Sequence, residues 1–401
     1  MILLFYYLGF TLTLYFFKSL KTLIIWTFNL NFSEVISLNK EDVINLVIVI
    51  SLFMFSSAYL INAQSFLSIY LSMELQSFTI LLALLLLSDN LAEGPEAVFK
   101  YFVISSIAGV VYLVGYYLCS FELNGHLNDG STNCRNDLNL FILCVPFIVK
   151  LGLFPSYIWV PEVYRGLSYL GLAFISLIPK ITSFLVIMKL SGPSQIFLAI
   201  GLVSVIISSF GGLNQSNIKV LLSFSGLGHF GLIFILISVG YSCYSLSSFY
   251  LIVYCLTASS LLFTLSFLRK NNIIELGGIL SNSTTLGFIL SVLILSLLGF
   301  PPLSGFICKL VVIISSLLHT INTMIIIIMI LSLVASAFYY LRTFNVLTNN
   351  TESYYKNYTW ILANNKLVKF HHPFFIAWPV FLTFFLCINP TEVFLISSLI
   401  L

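Results

Sequence analysis

Apolar runs of about 20 residues, the length that an α-helix needs to cross a bilayer, dominate this sequence. The stretch QSFLSIYLSMELQSFTILLALLLLS, residues 64–88, contains a single charged residue, Glu74. Hydrophobic residues make up 59% of the chain and charged residues only 8%, whereas a soluble domain carries roughly 25% charged residues. With so few charges the chain cannot cover a surface that faces water. We therefore predict an all-α polytopic membrane protein.

The apolar runs predict about twelve transmembrane helices. The tenth run is too long for one crossing and contains LLGFPPLSGF, so we interpret it as a broken helix. A second break is expected near Pro155 in the fifth run. Residues 344–372 form the one long polar connection. The predicted spans are 1–17, 43–62, 64–88, 97–120, 138–160, 167–190, 194–213, 219–240, 244–268, 284–317, 321–343 and 373–390.

Positive charge is distributed unequally between the two sides of these spans. The poorer side holds only Arg135 and Lys189. The positive-inside rule orients the chain by such a bias, and with these spans both termini are expected on the poorer side. The positive residues of the richer side are Lys18, Lys21, Lys40, Arg165, Lys219, Arg269, Lys270, Arg342, Lys356, Lys366 and Lys369.

Several ionisable residues lie inside the predicted spans, where charge is costly and usually functional. Lys150 stands deep in FILCVPFIVKLGLFPSYIWVPEVY, followed by Gly152 and Pro155. Backbone groups that a break leaves unpaired at membrane depth are tolerated only against protein or a water-filled cavity. We therefore expect the lysine, the break and a hydrated pocket to occur together. Lys150 is also too deep to reach the headgroups easily.

The other ionisable residues within the predicted spans differ in how strongly their positions indicate a function. Lys180 follows Pro179 near the middle of its span, and Lys309 follows the second break. Lys100 is only four residues into its predicted helix, so a side chain that extends to the headgroups remains an alternative. His229 lies mid-span among small residues. Two interpretations stay open: a buried histidine that is hydrogen-bonded to a hydroxyl, or a titratable group that relays protons.

Glu74 is the only acidic residue near the middle of a predicted span. It is therefore the expected partner for a lysine on a neighbouring helix. Burial without a counter-charge favours the neutral form of a lysine, whereas a nearby carboxylate restores the charged form. A chain of such groups across a membrane is by default a proton path. The predicted path contains Glu74, Lys150, Lys180, His229 and Lys309, with Lys100 less certain.

No cofactor or metal site is predicted in this chain. Its seven cysteines form no CxxC or metal-binding spacing, and we interpret them as small apolar residues. No glycine-rich phosphate loop, haem ligand pair or iron–sulfur cysteine spacing is present.

The two predicted breaks, in the fifth and tenth spans, suggest an internal repeat. Because five is odd, a second unit of five helices would enter the membrane from the opposite side, as in the inverted repeats of many transporters. The predicted organisation is an N-terminal helix and connection at 1–42, a first repeat at 43–193, a second, inverted repeat at 194–343, and a polar loop with a C-terminal helix at 344–401.

A set of motifs occurs in the order seen in one family. They are MELQSF, KYFVISS, VKLGLFPSYIWVPEVYRG, LIPKITSF, NQSNIKVLLSFSGLGHFG and LLGFPPLSGFICKL. From about residue 43 to 390 the chain resembles the antiporter-like membrane subunits of mitochondrial NADH:ubiquinone oxidoreductase (respiratory complex I), which are related to Mrp-type cation/proton antiporters. The resemblance implies two inverted five-helix antiporter-like repeats and a part in proton translocation driven by quinone reduction elsewhere in the complex.

The family's charged residues can be carried over motif by motif. The glutamate of the first unit falls on Glu74, the lysine of the first broken helix on Lys150, and the lysine of the next helix on Lys180. The histidine of the second unit falls on His229, and the lysine after the second break on Lys309.

The resemblance also implies the setting of the chain. NADH, FMN, the iron–sulfur clusters and ubiquinone would be bound by other subunits. The partners would be other membrane-arm subunits of complex I, including neighbouring antiporter-like subunits, and lipids such as cardiolipin, with no nucleic acid. The location would be the mitochondrial inner membrane, with the Lys/Arg-rich loops in the matrix and both termini toward the intermembrane space. Family members often carry three helices ahead of the first repeat, whereas here there is room for about one. The others are either lost or supplied by a separate chain.

Two other function classes remain open from sequence. A stand-alone cation/proton antiporter would share the lysine–glutamate chemistry and the repeat, but would purify as an independent unit. A structural subunit whose buried charges are relics would tolerate neutral substitutions at Glu74 and Lys150.

Overall fold

A computed structural model describes residues 40–87, 93–122, 137–190, 194–240, 243–268, 270–282, 284–319 and 323–348. These residues are almost entirely helical, and the predicted all-α class is confirmed. Among these described residues, eight helical stretches are long and apolar enough to cross a membrane, and the apolar helices Thr285–Leu298 and Ser304–Leu318 are shorter. The predicted spans 1–17 and 373–390 lie outside the described residues.

The helices follow the predicted apolar runs closely. Those up to residue 190 are α1 (Lys40–Asn62), α2 (Phe66–Leu87), α3 (Glu93–Glu122), α4 (Asp137–Leu151), α5 (Trp159–Gly166), α6 (Tyr169–Ser176) and α7 (Ile178–Leu190). Those that follow are α8 (Ser194–Leu213), α9 (Ile218–Val239), α10 (Tyr244–Leu268), a 3₁₀ turn (Ile273–Leu276), α11 (Ile279–Asn282), α12 (Thr284–Leu298), α13 (Ser304–Leu318) and α14 (Thr323–Thr348). Helices satisfy their own backbone hydrogen bonds, which is what a bilayer demands.

The first predicted break lies between α4 and α5. Gly152 follows the last residue of α4 with φ 74°, a left-handed conformation that glycine adopts without a Cβ penalty. The amides of Gly152 and Leu153 both donate to the carbonyl of Ile148, at 3.1 and 3.2 Å. This Schellman arrangement satisfies a carbonyl at the helix end, and Pro155 prevents the helix from resuming directly.

The second predicted break, between α12 and α13, is built in the same way. Gly299 follows the last residue of α12 with φ 86°. The amides of Gly299 and Phe300 both donate to the carbonyl of Leu295, each at 3.1 Å. The Pro301–Pro302 pair then follows, and α13 begins at Ser304. The two breaks therefore end a membrane helix by the same hydrogen-bond pattern.

A third interruption was not predicted. The span 167–190 was expected to be continuous, but it divides at Leu177 into α6 and α7. Pro179 has no amide hydrogen to donate and its ring crowds the preceding turn, which accounts for a break at this point. The amide of Ile181 donates to the carbonyl of Leu177 at 3.1 Å and so starts α7. This interruption lies directly beside Lys180.

Helix α9 lies at the centre of the molecule and is the most buried of the candidate spans. It packs most extensively against α8, and also against α10 and α13 from the same half of the chain. Contacts to the earlier half come from α5, which packs on α9, and from α6, which packs on α10. The segment of α9 that holds His229 lies close to the earlier half, since the neighbouring Phe230 contacts Lys180.

The interpretation of the cysteines as small apolar residues needs one correction. Cys144, Cys243 and Cys308 are buried free thiols, as expected. Cys119, near the end of α3, is disulfide-bonded. Spacing along the sequence gave no sign of this bond.

Candidate functional site

Glu74 on α2 and Lys150 on α4 lie close together, but they form no direct ion pair. Nζ of Lys150 donates a hydrogen bond to the backbone carbonyl of Met73, the residue before Glu74, at 3.0 Å. Within the described ranges, the ion pairs shorter than 4.0 Å do not include this one. The carboxylate is still close enough to act electrostatically on the ammonium. The direct ion pair expected from sequence is not formed here, and contact through one water remains a prediction.

Local features of α4 and α2 surround the two charged groups. Lys150 lies in the last turn of α4, where unpaired carbonyls give the helix end a partial negative charge. Glu74 is held locally by Ser77, whose hydroxyl donates to the Glu74 carbonyl at 2.7 Å and lies 3.4 Å from Oε2. The charged ends of the two side chains are therefore close to each other without forming an ion pair.

Lys180 occupies an aromatic environment between the two halves. It is 2% exposed, and its Nζ lies 4.9 Å from the ring centroid of Phe230 and 5.7 Å from that of Tyr164. Both distances fall within the range of cation–π contacts. Among the described residues no carboxylate pairs with it within 4.0 Å. A group held in this way can exchange a proton without breaking an ion pair.

His229 is buried and bonded to a hydroxyl. Its Nδ1 lies 2.9 Å from the hydroxyl oxygen of Tyr250 on α10, and its ring centroid is 5.0 Å from that of Tyr254. The hydroxyl can donate to a neutral imidazole or accept from a protonated Nδ1. This geometry agrees with the histidine–hydroxyl alternative stated above and is also what a relay needs.

Tyr254 connects the surroundings of His229 with those of Lys180. A Cβ atom placed on Gly226 would lie 2.9 Å from the Tyr254 hydroxyl and 3.7 Å from Nζ of Lys180. Both polar atoms therefore lie against the same point on α9. Since the ring of Tyr254 also packs on His229, a single side chain spans the distance between the two titratable groups.

Lys309 on α13 caps the second broken helix. Its Nζ donates to the carbonyl of Leu298, the last residue of α12, at 2.6 Å. The stem of the lysine lies over Gly299, where an added Cβ would be 2.9 Å from Cδ. The ammonium thus satisfies a carbonyl freed by the break and lies at the negative end of the α12 dipole.

A small cavity connects His229 with Lys309. Its water-accessible volume is about 20 Å³, and one water needs roughly 10–15 Å³ and two to four polar partners. The hydroxyl of Tyr340, which also lines the cavity, is buried; it lies near the hydroxyls of Ser225 and Tyr339 but makes no hydrogen bond of good geometry to any described residue. An ordered water here would satisfy that hydroxyl and join the imidazole to the lysine. The other polar residues of the lining are Ser208, Ser225 and Ser336.

Lys100 lies apart from these groups, at one end of α3. Its Nζ is 2.8 Å from carboxylate oxygens of both Glu96 and Glu162, and its side chain is 37% exposed. Arg165 and Glu93 form a neighbouring ion pair at 3.8 Å. This position, paired at the edge of the helix bundle, agrees with the alternative that Lys100 does not belong to the buried path.

Comparison with known proteins identifies the family. The sequence profile described as "NADH:quinone oxidoreductase/Mrp antiporter, TM" matches residues 63–335, which contain every helix from α2 to α13. The chain belongs to this antiporter family.

The relatives include subunits of NADH-ubiquinone and NADH-quinone oxidoreductases. The chain is 27% identical over 354 residues to NADH-ubiquinone oxidoreductase chain 2 of Metridium senile, covering 83% of this chain and 91% of that protein. It is 31% identical over 309 residues to NADH-quinone oxidoreductase subunit N of a Wolbachia species from Brugia malayi, covering 72% of this chain and 66% of that protein. The chain spans 57% of the length of subunit N from Ruthia magnifica, to which it is 29% identical.

Solved structures share the fold. A chain of respiratory complex I from Thermus thermophilus matches with a TM-score of 0.73 and 22% identity, over 87% of this chain and 79% of that chain. A chain of the Mrp complex from a Dietzia species matches with a TM-score of 0.68 and 15% identity, over 75% of this chain and 60% of that chain. At these identities the likeness concerns the antiporter fold.

Sequence reasoning missed the hydroxyls and rings that surround the titratable groups of this antiporter-family chain. Tyr250 and Tyr254 stand four residues apart on α10. This spacing puts both on one face of the helix, and it was a usable signal.

Glu162 was also missed. It stands the same number of residues after Gly152 as Lys309 does after Gly299. Aligning the two breaks would have singled it out. No sequence signal marked Tyr340.

Proposed function

We propose that this chain is the complex I subunit that corresponds to chain 2 of NADH:ubiquinone oxidoreductase. It carries protons across the mitochondrial inner membrane while quinone is reduced elsewhere in the complex. The observation that carries the proposal is the row of titratable side chains inside helices of this family: Glu74, Lys150, Lys180, His229 and Lys309. The coverage of 91% of the Metridium senile protein supports the assignment to chain 2.

Lys150 is the group whose proton affinity Glu74 controls. Its ammonium has two partners within reach of side-chain motion, the carbonyl of Met73 and the carboxylate of Glu74. Approach to the carboxylate favours the charged amine, and retreat from it favours release of the proton. Alternation between the two partners would load and unload the lysine, provided that water enters at the break after α4.

Lys180, His229 and Lys309 form the rest of the path. The proton passes from the amine of Lys180 through the hydroxyl of Tyr254 to the imidazole of His229. It continues through the cavity to Lys309, with Tyr250 holding the imidazole. Each transfer needs a donor and an acceptor within hydrogen-bond distance directly or through one water, and the cavity between His229 and Lys309 offers room for such a water.

The two breaks mark corresponding points of an inverted repeat, with units at 43–193 and 194–343. Support comes from the shared hydrogen-bond pattern at Gly152 and Gly299. In inverted-repeat transporters, broken helices line the substrate path. Here each break lies beside a lysine of the path, Lys150 before the first and Lys309 after the second.

The orientation places the Lys/Arg-rich loops, including 344–372, in the matrix and both termini toward the intermembrane space. The charge bias supports it, and so does the disulfide at Cys119. Cys119 lies near the end of α3 that this orientation puts outside the matrix, and disulfides persist in oxidising compartments rather than reducing ones.

Other chains complete the reaction. Neighbouring antiporter-like subunits and further membrane-arm subunits of complex I pack around this one, with lipids such as cardiolipin between them. NADH, FMN, the iron–sulfur clusters and ubiquinone are bound by other subunits. This chain contributes the membrane passage for protons and no redox step.

A stand-alone cation/proton antiporter is the second candidate, favoured by the fold shared with a chain of the Mrp complex. Purification of the native chain in mild detergent distinguishes the two. We expect NADH-oxidising subunits to co-purify. A chain recovered alone that exchanges cations for protons without NADH would overturn the complex I assignment.

Substitution of Lys180 by methionine tests the path itself. The stem is kept and the amine is removed, so we expect the complex to assemble while vesicles lose proton uptake. Lys189→Met is the matched control, because Lys189 is an exposed lysine at the end of the same helix. Equal proton uptake in the two variants would refute a role for Lys180.

A further inference from the structure

Helix α3 passes the Glu74 carboxylate at a glycine. A Cβ atom added to Gly109 would overlap Oε1 of Glu74 and would lie 3.1 Å from its Cδ and 3.8 Å from Oε2. The three atoms nearest to that point therefore all belong to one carboxyl group. Any other residue at 109 would compete with the carboxylate for the same space.

Gly109 is not explained by close helix packing alone. At a true backbone contact the nearest atoms include main chain, as at Gly115 on the same helix, where they belong to Ile142 and Leu143 and include the Leu143 amide nitrogen. At Gly109 they come only from the Glu74 side chain. The absence of a side chain at Gly109 therefore makes room for a charged group, and not for the backbone of a neighbouring helix.

The groups around the carboxylate show what a displacement would change. Ser77 lies 3.4 Å from Oε2, and the charge of Glu74 acts on Lys150, Tyr70 and Tyr101. Lys150 is the only one of these that carries a positive charge. The distance from the carboxylate to that lysine depends on where the carboxylate rests against α3.

We propose that Gly109 is a positioning residue: its lack of a side chain lets the Glu74 carboxylate lie against the backbone of α3, and this sets the separation from Lys150. The inference deepens the proposed function and rests on it for the effect on pumping. The steric part, that a methyl group at 109 moves the carboxylate, does not depend on what the carboxylate does.

The test is Gly109→Ala in the assembled complex, alone and combined with Glu74→Asp. Alanine is the better helix former, so a loss cannot come from a weaker α3. Aspartate is one methylene shorter and withdraws its carboxylate from the added methyl group. Proton uptake by vesicles is measured beside NADH:quinone turnover, and a density map of Gly109→Ala locates the Glu74 carboxylate.

We expect Gly109→Ala to lose as much proton uptake as Glu74→Gln, with the carboxylate displaced in the map. In the Glu74→Asp background the same alanine should cause no further loss, because coupled residues are not additive. Gly115→Ala is the matched control, and any loss it causes should be the same in both backgrounds.

Several results would overturn the proposal. Normal pumping by Gly109→Ala would do so, as would an equal loss in the Glu74→Asp background. If Gly109→Ala fails to assemble, restoration of assembly by Glu74→Asp supports the proposal and continued failure refutes it. A displaced carboxylate combined with normal pumping by Glu74→Gln would instead refute the proposed role of Glu74 and leave the steric assignment in place.

Discussion

Replacement of Glu74 by glutamine is the most direct test of the switch on Lys150. Glutamine keeps the shape of the side chain and removes its charge. The charged ends are more than 4.0 Å apart. At an effective dielectric of about 20, opposite charges attract by about 4 kcal/mol at 4 Å and by about 2 kcal/mol at 8 Å. The carboxylate therefore stabilises the ammonium form of Lys150 by less than about 4 kcal/mol.

An energy of this size is enough to control a proton. A change of about 1.4 kcal/mol alters an equilibrium tenfold, so an attraction of about 2 kcal/mol already shifts the proton affinity of the amine more than tenfold. The carbonyl of Met73, which accepts the Lys150 hydrogen bond, is unchanged by the substitution, so we expect the amine to keep a partner. We therefore expect assembly to survive while Lys150 gives up its proton more easily.

The assay is proton uptake by vesicles containing the Glu74→Gln complex, measured beside NADH:quinone turnover. Glu93→Gln is the control, because it removes a carboxylate that is 62% exposed and paired with Arg165. We expect uptake per NADH oxidised to fall only in the first variant. Normal uptake at normal turnover in Glu74→Gln would refute the reasoning.

Three further predictions follow from the backbone, the charge bias and the disulfide. Gly152→Ala forces a left-handed alanine, which costs about 1–2 kcal/mol, and its methyl group would also overlap Val160; the thermal midpoint of the complex should fall, and an unchanged midpoint would contradict the strained turn. Protease added to mitoplasts should not cleave within 344–372, and cleavage there would reverse the orientation. In the denatured chain a maleimide should label Cys119 only after reduction, whereas labelling before reduction would contradict the disulfide.

The breaks were predictable because their causes are local. Gly152 with Pro155, and Gly299 with Pro301, each combine a residue that tolerates φ above zero with one that cannot donate to a helix. The break at Leu177 has only Pro179 as its cause. Hydropathy across 167–190 is uniform, so the pattern predicted one continuous helix there.

The surroundings of the charges could not be predicted in the same way. Lys180 contacts rings from α5 and α9, and His229 contacts rings from α10. These contacts depend on how the halves pack, which no local pattern encodes. The sequence indicated correctly that Glu74 and Lys150 are neighbours. Whether the amine reaches the carboxylate or the Met73 carbonyl depends on a few ångströms of helix offset and on side-chain rotamers.

Tyr250→Phe separates the relay function of His229 from its packing. The tyrosine is 2% exposed and its hydroxyl is 2.9 Å from Nδ1 of His229, so the variant leaves a buried nitrogen without its partner at a cost of about 1–3 kcal/mol. Tyr112→Phe is the matched control: that hydroxyl is also buried and donates to a backbone carbonyl, that of Phe66, at 3.0 Å and not to a titratable group. Both variants should lower the thermal midpoint of the complex by similar amounts, because each removes one buried hydrogen bond. Only Tyr250→Phe should lower proton uptake per NADH oxidised, since only there does the lost hydroxyl fix the tautomer and orientation of an imidazole that passes protons. Equal uptake in the two variants would mean that His229 is a packed core histidine and that the path from Lys180 to Lys309 bypasses it.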